Sequence, residues 1–181
     1  MNYKILGASA ASAILVVALI TTSISQAMAQ PDYTNVTSSS VTANPAEKVY
    51  KFSATTNGNI PQVADSYIGG VLVFGYAWLD TSTSPISAVV ATIHPVAGRD
   101  STQNPNNWHS HTAQLANTAD CSGGLQVVGL QSPTAGVAIT GNTITVTMNA
   151  GSATVSPSTF DAATGFKLVA GANSALCVAG P

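Results

Sequence analysis

The sequence predicts an all-β domain: a single antiparallel β-sandwich, immunoglobulin-like or Greek-key, of about eight or nine short strands. Three observations lead there. Apolar and polar residues alternate with period two in several runs, no apolar period of 3.6 survives past residue 29, and turn-forming residues recur at short intervals.

The elements follow in order. In 49–54, Val49, Lys51 and Ser53 alternate against Tyr50, Phe52 and Ala54, and Asn57-Gly58-Asn59 turns the chain. Residues 67–79 form the most apolar stretch beyond the leader. Gly69, Gly70 and Gly75 argue against a helix there, and its β-branched and aromatic residues predict a long central strand. A Thr/Ser/Pro link, 80–85, leads to an extended run over 86–94 and, after a loop, a second over 108–116. Beyond a turn at 120–124, short strands are expected at 125–130, 137–140, 143–149, 153–155, 165–170 and 175–178, with Gly141-Asn142 as a two-residue hairpin turn.

Residues 1–29 have the parts of a secretory signal: a polar start with Lys4, an apolar run over 5–20, and Ala27-Met28-Ala29 before Gln30. A retained membrane anchor is the rival reading, but Ser9 and Ser12 interrupt a run already shorter than the roughly 20 apolar residues a spanning helix needs. Residues 30–46, rich in Ser, Thr, Asn and Pro, read as a flexible tether carrying a glycosylation sequon at Asn35, and 47–181 as the β domain.

Charged residues make up only 7% of the chain, against about 25% in ordinary soluble domains. Without Lys4, four basic residues (Lys48, Lys51, Arg99, Lys167) face seven acidic ones, a net charge of −3. Nothing supplies the basic stripe that nucleic acid requires or the polybasic segment that anionic lipid attracts. Cys121 and Cys177 both fall in the exported part, where a disulfide is the default; a thiolate metal ligand is the alternative, and neither is followed by the His and Met of a blue-copper site.

All three histidines, His94, His109 and His111, lie within residues 86–115. Alternation puts His109, His111, Ala113 and Leu115 on one face of their strand, and Ile86, Ala88, Val90, Thr92 and His94 on one face of the preceding one. An antiparallel hairpin of the two would bring His94 beside His109, with cross-strand Cβ atoms roughly 4.5–5.5 Å apart. Imidazole is the commonest protein ligand for zinc and copper, and either metal accepts three imidazoles with an oxygen donor, here Asp100 or Asp120. Neutral imidazole binds, so such a site weakens as pH drops toward 6.

Two further stretches bear on function. Residues 52–63, FSATTNGNIPQV, followed by a Gly-led apolar strand and Ala91-Thr92-Ile93-His94, resemble the chordin-type (CHRD) secreted domain over about residues 49–95. The resemblance implies an extracellular β-sandwich and no enzymatic role. Thr92 stands where that family has the first His of its His-Ile-His-Gly motif, Pro95 stands for the Gly, and the family's C-terminal glycine and glutamate motif is absent. Trp108, Trp78 and Tyr76 offer a carbohydrate-facing platform if they are exposed, Trp108 being the one the pairing scheme leaves outside.

Catalytic signatures are missing. There is no Gly-x-Ser-x-Gly elbow, no phosphate-cradling glycine loop and no evident general base beside the histidines, so turnover is not the favoured reading. The sequence therefore predicts a secreted or cell-surface domain that binds zinc or copper through His94, His109, His111 and Asp100. The alternative is an extracellular structural or adhesive module, a cell-envelope component or carbohydrate binder, in which the histidines are incidental.

Overall fold

The structure is a computed structural model that describes residues 29–96, 106–131, 135–150 and 157–181. The expected leader up to residue 28, Asp100 and the expected strand at 153–155 lie outside the described residues. Ten strands are present among them: β1 (Val36–Asn44), β2 (Val49–Thr56), β3 (Val73–Asp80), β4 (Ile86–Ile93), β5 (His109–Asn117), β6 (Leu125–Gln131), β7 (Ala135–Thr140), β8 (Thr143–Asn149), β9 (Thr164–Ala170) and β10 (Leu176–Ala179).

The fold is all-β and antiparallel, as expected, but its two sheets are not the two open layers of a sandwich. One is open, in the order β1-β2-β8-β7; the other closes on itself as a six-stranded barrel, β10-β6-β5-β4-β3-β9. Closure comes from the end of the chain. Strand β9 pairs with β3, β10 pairs with β9, and β10 meets β6 at Cys177 opposite Gln126.

Packing of the two sheets follows from strands that are apolar on both faces. Phe74, Tyr76 and Trp78 of β3 and Val89, Ala91 and Ile93 of β4 pack against Phe52 and Ala54 of β2 and Ile144, Val146 and Met148 of β8. The opposite faces of β3 and β4 turn into the barrel, where Ala77, Ala88 and Val90 meet Ala113, Leu115, Phe166 and Leu168. A strand buried on both sides reads as a near-continuous apolar run, as 73–79 and 88–93 do. Gly75 sits where Phe166 of β9 lies across β3; a Cβ there would come within 2.9 Å of the Phe166 ring and collide with the carbonyl of Ala91.

Two boundaries differ from expectation. The central strand starts only at Val73, because Ile68–Gly70 form a 3-10 turn after Asp65, whose Oδ1 accepts the Ile68 N–H at 2.9 Å. The segment expected to be a tether, 30–46, contains β1, paired with β2 from Val36 to Asn44. Ser and Thr side chains conceal this strand in the sequence, because its place depends on backbone pairing and on contacts such as Ala163 N–H donating to Ser39 Oγ at 2.8 Å.

Cys121 and Cys177 are joined as a disulfide across 56 residues. The bond ties the turn before β6 to β10, at the barrel seam where those strands share a single partner pair. In the chain-entropy account a loop of this length is worth about 4 kcal/mol. A Cys121→Ser, Cys177→Ser variant should lose roughly that much in urea unfolding, and an unchanged midpoint would mean that the seam holds without it.

Asp80 organises the β3–β4 turn. Its carboxylate accepts the Ser82 hydroxyl, the Thr159 hydroxyl and the Ser82 N–H, and these bonds hold its pKa below the ordinary 3.8. The ionised form is thus favoured in the folded state, so its contribution is present above the ordinary carboxylate range and is lost as pH falls through the lowered value. Asp80→Asn should be less stable than the parent at pH 7. The gap should narrow as urea titrations are repeated toward pH 2, and a gap independent of pH would contradict this role.

Candidate metal centre

Strands β4 and β5 pair from Ile86 opposite Leu115 to Thr92 opposite His109. The hairpin is the expected one, although the residue directly opposite His109 is Thr92, and His94 sits one diagonal step further. Because Thr92 and His94 share a face, the diagonal still brings the rings together. His94 Nε2 and His109 Nε2 are 2.7 Å apart, and ring centroids are separated by 4.5 Å for His94 and His109, 4.9 Å for His109 and His111, and 6.4 Å for His94 and His111. One nitrogen from each ring lies within 4.8 Å of the others. All three are buried, at 5%, 6% and 5% exposure.

Two of the rings are held by main-chain carbonyls. His109 Nδ1 lies 2.9 Å from the Asn107 oxygen, and His111 Nδ1 lies 3.2 Å from the Gln131 oxygen at the end of β6. A carbonyl only accepts, so each contact calls for a proton on Nδ1 and makes Nε2 the accepting nitrogen of its ring, which in His109 faces His94 Nε2. This is the outer-shell arrangement that commonly orients metal-binding imidazoles. Tetrahedral zinc with Zn–N of about 2.0–2.1 Å sets its donor nitrogens roughly 3.3 Å apart, so His94 and His109 would need to separate by about 0.6 Å around an ion.

Of the two carboxylates expected as fourth ligand, only Asp120 can be placed, and it does not join the group. Asp100 lies outside the described residues. Asp120 stands beyond the far end of β5, beside the disulfide, where its Oδ1 accepts from Asn173 Nδ2 at 3.0 Å and its carbonyl accepts the Ala172 N–H. Among the described residues the metal-competent group consists of the three histidines alone.

Thr92 is the residue the ligand list omitted. Its hydroxyl lies 3.5 Å from His109 Nε2, and its membership of the Ile86, Ala88, Val90, Thr92, His94 stripe was the signal available for it. The Asn107 and Gln131 carbonyls had no such signal, since a backbone oxygen is silent in sequence.

The aromatic platform is also corrected. Trp78 and Tyr76 are fully buried, and Trp108 is packed rather than exposed: it stacks on Tyr76 at 5.6 Å and donates Nε1–H to the Pro61 carbonyl at 2.8 Å. The strand face opposite the histidines is simply the face covered by the open sheet. Asn35, by contrast, is exposed just before β1.

Comparison with known protein families, with curated proteins and with solved structures finds no match. The geometry of the site therefore carries the functional argument.

Trp108 precedes His109 and anchors the start of β5. Trp108→Ala should lower unfolding stability by about 2–3 kcal/mol, and Trp108→Phe, which keeps the ring packing and loses the hydrogen bond, by about 1 kcal/mol. Denaturant titrations check both, and equal losses would refute the separation of packing from hydrogen bonding.

Proposed function

We propose that this chain is a secreted or cell-surface β domain that binds one transition metal ion, zinc or copper, through His94, His109 and His111, without turnover. The observation that carries the reading is three buried imidazoles with donor nitrogens within 4.8 Å of one another, two of them oriented by main-chain carbonyls. Three uncharged nitrogen donors suit zinc and copper and not the oxygen-seeking calcium or magnesium. Three protein ligands leave a fourth position open, for water or another donor.

Export is supported by the signal-like composition of 1–29 and by the disulfide, a bond that persists in oxidising surroundings. The resemblance to the chordin-type domain supports the same extracellular setting, with His94 its one matching histidine.

Metal analysis of the purified protein after dialysis against zinc or copper tests the proposal. One equivalent should be retained, and a His109→Ala, His111→Ala variant that remains folded should retain none. Retention below a tenth of an equivalent by the parent, or equal retention by the variant, would refute it.

A further inference from the structure

The barrel interior is not filled by its own side chains. A cavity of about 220 Å³ runs through it, walled by small or aliphatic residues that include Ala77, Ala88, Ala113, Val127 and Val178, with Phe166. Val127 and Val178 face this space and are only half-buried, although both belong to the inner apolar cluster. The cavity reaches the metal centre, for His94, His111 and Thr92 are part of its wall. The other polar side chain in the wall, Thr164, directs its hydroxyl to the Gly165 carbonyl at 3.2 Å.

The end of the cavity next to the histidines has an apolar rim. Leu72, just before β3, and Leu130 of β6 both line it and are 38% and 58% exposed. Leu130 owes its position to a bulge in β6. The register slips between Gln114 and Leu115, so Val128 points away and Leu130 rejoins Leu125 and Val127 on the barrel face.

Resting on the metal reading above, we infer that the barrel binds a medium-chain carboxylate, its head on the metal's open position and its alkyl tail along the cavity. Three of the four polar side chains in the wall, His94, His111 and Thr92, stand at the metal end, and aliphatic ones dominate the rest of its length, which fits a molecule with one polar head and one apolar tail. Among the described residues no lysine or arginine lines the cavity, so there the metal is what offsets the charge of an anionic head. Thr92, which lines the cavity with its hydroxyl 3.5 Å from His109 Nε2, adds a hydrogen-bonding group at the same end. The tail length follows from volume: an apolar cavity of about 150 Å³ accommodates a benzene ring, so 220 Å³ accommodates roughly eight carbons.

Octanoate is the probe, titrated into the full chain in its zinc-loaded and metal-free forms and followed by NMR. The inference expects nuclear Overhauser contacts from the octanoate terminal methyl to the Ala113 and Val127 methyls. Binding should be at least ten-fold tighter with zinc, and Ala88→Leu should abolish it while leaving zinc stoichiometry unchanged. Because Ala88→Leu can fail by misfolding, the contacts in the parent protein stand as an independent readout.

Zinc retention without octanoate contacts inside the barrel would overturn this inference and leave the metal proposal intact. Octanoate binding that is equal with and without zinc would overturn the headgroup assignment. A protein that retains no zinc removes both.

Discussion

Strands β3 and β4 are each buried on both faces, and the rest of the structure is arranged to provide the two apolar partners that this requires. Phe74, Tyr76 and Trp78 on one side of β3 demand the cover given by β2 and β8, while the small residues on the other side demand a second enclosure. A single opposing sheet could cover only one side. Curling the six-stranded sheet into a barrel covers the other and leaves no free edge in that sheet.

The histidines inherit their position from that double burial. Period-two alternation on β4 and β5 assigns Thr92, His94, His109 and His111 to the inner face, continuing the stripes that begin with Ala88 and Ala113. Three imidazoles in an apolar enclosure are costly unless their nitrogens have partners. The Asn107 and Gln131 carbonyls answer part of that requirement, and in doing so they turn donor nitrogens toward a common point. The same contacts that make burial tolerable therefore prepare the rings for an ion.

What the sequence made legible was local. Strand β8 could be read to the residue from the alternation of Thr143, Thr145 and Thr147 against Ile144, Val146 and Met148, and the hairpin turn before it from Gly141-Asn142. The shared face of His109 and His111 followed from the same rule. Barrel closure was not legible, because it depends on β9 and β10 reaching strands far back in the chain, and no local pattern records a pairing partner. Strand β1 was hidden for a related reason: it lies at the edge of the open sheet, has little apolar surface to bury and is held by main-chain bonds. Trp108 was misplaced because a two-faced strand has no outside, a fact that only the position of the open sheet reveals.

The position of Cys177 has a mechanical consequence. Strand β10 is the shortest of the ten described, and thermal fraying or tension entering from the C-terminal side reaches it first. Unzipping can proceed only from Ala179 and Val178 before it meets a covalent bond to Cys121, which lies on a different part of the chain. Load is thereby passed to the β5–β6 turn instead of to a ladder of one partner pair, and the weakest line in the wall is shielded from peeling.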